Sequence, residues 1–211
     1  CYYAVALAQP DPPVLPPALI FSASVAIVME GSTVTSSLQV KLDLALQKEY
    51  VKLTFPSFPP STYIEEYIDF QTGLVTMIQV VNGESTCTNI TGIPFPSFTP
   101  TFIADNCEYF GPAVIEGQPS QQWNCPMPIS SSSVVNNSLF SRGNRLVAEV
   151  ISVPASSTGP SIVEFLTINE YLPVHSLPSS VFDLPNACFQ SAIRRSVVSG
   201  VRPVVDFFNK L

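Results

Sequence analysis

Charge is scarce in this sequence. Only 12% of its 211 residues are Asp, Glu, Lys or Arg, roughly half the usual share. The nine basic residues are outnumbered by sixteen acidic ones, for a net charge of −7. That balance repels phosphate backbones and anionic membrane surfaces, which argues against nucleic-acid binding. Arg194 and Arg195 are the one adjacent basic pair, and two residues are not a patch. Glycine is also sparse, nine residues against 21 prolines, a balance that favours extended segments and rigid loops over long helices. No apolar run approaches the ~20 residues that a membrane-spanning helix needs.

Catalytic signatures are missing too. Nucleophilic hydrolysis usually needs a histidine beside the nucleophile. His175 is the single histidine, and no GxSxG elbow accompanies it. A triad of His175, Asp183 and a serine is selected by nothing in the sequence, so His175 reads as a loop residue without a role. P-loop, GxGxxG and EF-hand patterns are absent. Glu65, Glu66 and Asp69 cluster in "YIEEYID", but Glu65 and Asp69 share one strand face while Glu66 points away. They read as a solvated strand edge that discourages sheet-to-sheet pairing. The chain is expected not to be an enzyme and to require no cofactor.

What the sequence does have is apolar residues, 46% of the total. With so little charge beside them they exclude disorder for most of the chain and can build a substantial core. The stretch "LQVKLDLALQ" places Leu38, Val40, Leu42, Leu44 and Leu46 on one side of an extended chain and Gln39, Lys41 and Asp43 on the other. This is the signature of a half-buried antiparallel strand. Similar alternation predicts strands over "LIFSASVAIVM" (19–29), "KEYVKLTF" (48–55), "TYIEEYIDF" (62–70) and "LVTMIQVV" (74–81). "QTG" is a hairpin turn between the last two, and the whole reads as an up-and-down meander. Proline, cysteine and serine dominate 82–142, which predicts long loops and short strands. Strands resume at 145–153 and 161–171, joined by "PASSTGP". A final amphipathic helix is expected in "PNACFQSAIRRSVVS", with Ala187, Phe189, Ile193 and Val197 on one stripe.

"CYYAVALAQPDPP" resembles the tail of a secretory signal ending at Ala6-Leu7-Ala8; a bacterial lipoprotein starting at Cys1 lacks support in "YYAVALA". Residues 1–17 are therefore expected to be a signal remnant and a proline-rich lead-in outside the core, and 18–211 a single domain. Cleavage after Ala8 leaves Cys87, Cys107, Cys125 and Cys188, an even set that suggests two disulfides with three connectivities. No spacing is CxxC, so zinc is not indicated. Asn89 and Asn136 open the glycosylation sequons Asn89-Ile90-Thr91 and Asn136-Asn137-Ser138. Together these place the chain in a secreted or lysosome-like vesicular compartment. Trp123, beside Cys125, reads as packing against a disulfide.

Two stretches carry a family likeness. "QVKLDLALQKEYVKLTF…YIEEYIDFQTGLVTMIQV" followed by Cys87 resembles the strand meander of ependymin-related proteins, with a polar hairpin running from Asp69 to Gly73. The pattern Phe182, Asp183, Pro185, Cys188 is similar to that family's closing motif. Tyr109–Trp123 matches through its glycines and tryptophan. The likeness spans about 35–188. It implies a strongly curved antiparallel β half-barrel around a hydrophobic pocket, pairing of Cys87 with Cys188, and Cys107 left for Cys125. It also implies lipid as ligand, with calcium and homodimers in view, although no calcium ligand transfers residue by residue.

On that frame the pocket is expected to be lined by Leu38, Val40, Leu42, Leu44, Val51, Leu53, Phe55, Tyr67, Met77 and Val80, each of which is also an ordinary core residue. The expected function is a secreted, non-catalytic glycoprotein that binds lipid or another hydrophobic ligand. The alternative is a two-sheet β-sandwich serving as a structural or adhesive protein-interaction module, with "VRPVVDFFNKL" as its surface.

Overall fold

The computed structural model describes residues 9–29, 32–130, 133–153, 161–185 and 188. Eleven strands run in chain order as β1 Ala18–Met29, β2 Ser32–Asp43, β3 Lys48–Thr54, β4 Tyr63–Asp69, β5 Leu74–Val81, β6 Glu84–Ile90, β7 Glu108–Ile115, β8 Gln118–Ser130, β9 Ser133–Arg142, β10 Arg145–Val153 and β11 Ile162–Val174. A short helix, α1 (Phe102–Asn106), precedes β7, and a 3-10 turn spans Ser179–Phe182. All strands join one sheet in the order β6-β5-β4-β3-β2-β1-β11-β10-β9-β8-β7. Every paired neighbour is antiparallel.

This corrects the expected half-barrel. The edge strands β6 and β7 do not pair with each other, so the sheet is open, neither closed nor strongly curled. A division into the two sheets of a sandwich is also absent among the described residues. Alternation states which side chains share a face; closure depends on strand tilt and stagger, which alternation does not encode. The amphipathic helix expected at 185–199, apart from Pro185 and Cys188, lies outside the described residues, as do the "VRPVVDFFNKL" surface and the signal-like residues 1–8.

The meander forms as its alternation predicts. Val25, Leu38, Val40, Leu53, Phe55, Ile64 and Met77 are buried on one face, here called the inner face, and are joined across β1 by Ile162 and Leu166 of β11. The leucine alternation outlasts its strand: β2 stops at Asp43, and residues 44–47 turn into β3. Asp43 causes the stop. Its carboxylate is buried and accepts the Ala45 and Leu46 backbone N–H groups, both at 3.0 Å, so the chain folds into an Asx turn.

The proline-rich middle departs from expectation, because β8 is 13 residues long rather than a loop. Proline lacks an N–H and is tolerated where a strand has one neighbour. Pro126 and Pro128 pair with β9 but lie beyond β7, whose pairing with β8 ends at Asn124. Pro119 pairs with β7 ahead of the first β9 partner, Gln121.

A second core holds Leu44, Phe102, Ile103, Trp123 and Leu139. Leu15 belongs to it as well, so part of the proline-rich lead-in is core after all; its N–H donates to the Pro100 carbonyl at 2.8 Å. Trp123 is buried there with Cys125 and donates its indole N–H to Ser141 at 3.0 Å. Disulfides join Cys87 to Cys188 and Cys107 to Cys125.

Candidate functional site

Four glutamates interrupt the apolar inner face at one place. The register shows how isolated these are. Glu49 of β3 lies between Leu42 and Ile68 on the neighbouring strands. Glu66 of β4 lies between Val51 and Met77. Glu149 of β10 lies between Leu139 and Leu166, and Glu164 of β11 between Ile27 and Ile151. All four carboxyl groups line one cavity of about 400 Å³. The remaining wall is apolar apart from Asn137, and includes Val75, Met77, Ile90, Ile151 and Ile162.

Residues 91–101 and the start of α1 contribute Ile93, Phe95, Phe98 and Phe102 to the same cavity. Three anchors hold this segment. Phe70 contacts Phe95 edge-on at 5.2 Å and Phe98 at 4.4 Å, and Phe98 stacks on Phe102 at 4.4 Å. Gln47 hydrogen-bonds the Phe98 backbone. Gly73, at φ +66°, lies so close to the Ile93 carbonyl that a Cβ would collide with it, and the Ile93 N–H donates to the Gly73 carbonyl at 3.2 Å.

Burial sets the electrostatics, since a carboxylate is disfavoured where water is excluded. Burial, with Glu149 and Glu66 nearby, pushes Glu49 up to about 8. Burial, again with Glu149 and Glu66, pushes Glu164 up to about 7. Burial alone pushes Glu66 up to about 6. Burial raises Glu149 as well, opposed by a hydrogen bond from Asn137 Nδ2 at 2.6 Å. No hydrogen bond or ion pair engages Glu49, Glu66 or Glu164 among the described residues. A smaller chamber of about 100 Å³ adjoins the cavity, with Ile27, Glu66 and Glu164 in the walls of both.

The expected pocket residues divide. Met77 lines the main cavity, and Leu38, Val51 and Leu53 line the small chamber. Val40, Leu42 and Phe55 share the inner face but pack into the cores. Leu44 sits in the turn after β2, buried in the second core. Tyr67 and Val80 face the other way: Tyr67 meets Tyr50 edge-on at 5.1 Å, and Val80 lies opposite Tyr63.

The acidic cluster of β4 also divides. β4 is an interior strand, not a solvated edge. On its outer face Glu65 accepts the Tyr50 hydroxyl at 2.9 Å and pairs with Lys52 at 3.4 Å. Asp69 caps the hairpin turn by accepting the Gln71 and Thr72 N–H groups. Glu66 alone reaches the cavity. Three of the four glutamates had a legible signal, since each interrupts an apolar period-two series: Ile64-Glu66-Ile68, Val147-Glu149-Ile151 and Ile162-Glu164-Leu166. His175 and Asp183 are exposed. Asn89 and Asn136 are exposed on β6 and β9.

A polar depression of about 600 Å³ lies beside the Cys107–Cys125 bridge, lined by Glu108, Gln122, Asn124, Asn136 and Ser138 among others. Its side chains satisfy one another: Ser138 donates to Asn124 Oδ1 at 2.9 Å and Gln122 Nε2 to the same oxygen at 3.2 Å. Among the described residues no group of three or more His, Cys, Asp or Glu side chains is arranged to hold a metal ion.

No family model matches the chain, and no curated protein matches it. Solved structures give distant likenesses. A DUF1329 family protein from Desulfovibrio piger is 15% identical at a TM-score of 0.40, over 80% of this chain and 90% of its own. A domain described as an outer membrane lipoprotein-sorting protein, from Vibrio parahaemolyticus, is 12% identical at 0.41, over 79% and 89%. A chain of the Pseudomonas aeruginosa MucA/MucB complex is 11% identical at 0.37, over 79% of this chain and 56% of its own. Likeness at this level assigns neither family nor function, and none of the three is an ependymin-related protein. What stands is a β-sheet domain with surface features suited to binding a ligand or a protein partner. No helix among the described residues is long and apolar enough to cross a membrane.

Proposed function

We propose that this chain is a non-catalytic binding protein of a secretory lumen, taking an apolar molecule into the cavity between the inner face and residues 91–102. One observation carries the reading: a largely apolar chamber of about 400 Å³ with a few convergent polar groups, the usual make-up of a small-molecule site. The two disulfides and the exposed sequon asparagines Asn89 and Asn136 support the compartment. Lipid as such has weaker support than apolar character, because an acidic headgroup would meet four carboxyl groups. Native mass spectrometry of protein purified from secretory expression tests the reading. A bound small-molecule mass, lost in a Met77→Trp variant that fills the chamber, is the expected result. Apo protein that also fails to take up a fluorescent apolar probe overturns it.

A second reading, an extracellular interaction module, rests on the opposite end of the sheet. Phe110 and Val114 project from edge strand β7 and are 69% and 70% exposed, an apolar pair at a margin where a partner protein has access. Light scattering of Phe110→Lys against the parent protein tests it. Loss of a self-associated or partner-bound species supports the module, and identical behaviour removes it.

A further inference from the structure

We propose that the cavity's ligand is a cationic amphiphile: an apolar body carrying a protonated amine that is held among Glu49, Glu66, Glu149 and Glu164. The inference rests on the cavity being a binding site and names the chemistry it selects.

Four strands, β3, β4, β10 and β11, each contribute one carboxyl group to the same chamber. A fold that needed only an apolar interior would place aliphatic side chains there, because an uncompensated buried carboxyl is costly. Three of the four have no partner among the described residues, and the described part of the chamber's wall holds no lysine, arginine or histidine to neutralise them. A guest that carries a positive charge supplies the counter-charge these groups lack when they ionise. Among the described residues the four glutamates are also the only titratable groups in the wall, since β1, β5, β6, β9 and residues 91–102 contribute Ile27, Val75, Met77, Ile90, Val135, Asn137, Leu139 and apolar roof residues.

The alternatives fit less well. An anionic amphiphile adds a negative charge to a site that already crowds four acids. A neutral one leaves the carboxyl groups in their protonated forms and draws nothing from their charge. A bare metal ion finds no ligand cluster among the described residues. An amine with an apolar remainder satisfies both halves of the site. The aliphatic walls take the body, and the carboxyl groups take the ammonium. Phe95 and Phe98 add aromatic surface on which a cation is also favoured. Glu66 and Glu164 stand in the walls of both chambers. This places the ammonium near that junction, with the small chamber free for a short substituent.

A consequence follows from linkage. The empty site holds protons on its raised carboxyl groups. An arriving cation favours the ionised forms and releases those protons. Binding therefore strengthens as pH rises and weakens under acid.

Calorimetry with three ten-carbon probes, decylamine, 1-decanol and decanoate, tests this. At pH 7.5 decylamine is expected to bind about tenfold or more tighter than decanol, with decanoate weakest. At pH 6.5 its apparent enthalpy should depend on the buffer's ionisation enthalpy, reporting proton release. At pH 5 the preference for amine should disappear. In the Glu66→Gln/Glu164→Gln double variant decylamine should fall to the level of decanol while decanol binding is retained, which also shows that the variant is folded. Equal binding of all three probes, or an amine preference that survives the double substitution, overturns the cationic ligand and leaves the cavity reading standing. No binding of any probe overturns both.

Discussion

Gln47 and Phe98 are joined by a reciprocal amide pair: Gln47 Nε2 donates to the Phe98 carbonyl, and the Phe98 N–H donates to Gln47 Oε1 at 3.1 Å. The two residues are 51 positions apart. The same Nε2 also donates to the Leu44 carbonyl at 2.6 Å. A single side chain thus ties the turn after β2 to the aromatic segment over the cavity. Gln47→Ala is expected to cost about 1–3 kcal/mol and to raise hydrogen-exchange rates at residues 93–99 more than elsewhere. Uniform exchange across the sheet would show that the tie does not hold the segment.

Gly73 is the second anchor, and its role is steric. Its positive φ disfavours side chains, and any Cβ runs into the Ile93 carbonyl. Gly73→Ala is expected to lower stability by roughly 2 kcal/mol or more, measured by urea unfolding. The turn glycine Gly83, at φ +86° with open space around it, is the control, and its alanine variant should lose less.

Asp43 gathers three backbone N–H groups, from Ala45 and Leu46 at 3.0 Å and from Leu177 at 2.9 Å. The last tethers the segment after β11 to the end of β2. Asp43→Ala strands these donors and should cost on the order of 2–4 kcal/mol. Asp43→Asn, which keeps an acceptor oxygen, should recover part of that. Thermal unfolding of the two variants side by side gives the comparison.

Stability should fall as pH rises, with the sign set by the raised carboxyl groups. A carboxyl group whose folded-state pKa exceeds its unfolded value binds more protons when folded. Its favourable contribution is present at low pH and is lost as pH climbs. For Glu49 that window runs from 4.5 to about 8. Glu164 and Glu66 act the same way over narrower windows, up to about 7 and about 6. Glu49→Gln should flatten the decline and add on the order of 2–4 kcal/mol at pH 8. Denaturant midpoints at pH 5, 6.5 and 8 check this, and a midpoint that rises across the range contradicts it.

The two disulfides should differ in weight. Cys87–Cys188 spans 101 positions and Cys107–Cys125 spans 18. In the chain-entropy picture the long loop contributes about 4.7 kcal/mol and the short one about 3 kcal/mol. Paired serine replacements, Cys87→Ser/Cys188→Ser and Cys107→Ser/Cys125→Ser, should rank accordingly in calorimetric unfolding temperature.

Local alternation made much of the sheet legible. β1, β3, β4, β5, β10 and β11 sit within a few residues of their expected positions, because each buries a period-two apolar series. The strands β7 and β8 were hidden by prolines, and β9 by its serines and asparagines. Those prolines are harmless only because β8 outruns each neighbour in turn, a fact of pairing that no local window contains. Openness of the sheet was hidden for the same reason. The cavity was half legible: Leu38, Val51, Leu53 and Met77 follow from the meander. Tyr67 and Val80 failed by strand parity. Glu66 was legible only by asking which acids break an apolar series. A cluster of acids read along the chain looks like solvated surface; across the register, Glu66 belongs with Glu49, Glu149 and Glu164.

Pro126 and Pro128 bear on assembly as well as on folding. An uncovered strand margin invites another chain to zip alongside it. A visiting strand at this flank of β8 meets two positions that have no hydrogen to offer, and a third at Pro112 where β7 forms the border. Growth of the sheet by accretion is thereby blunted on that side, and copies of the protein that meet there must do so through side chains rather than by extending the ladder.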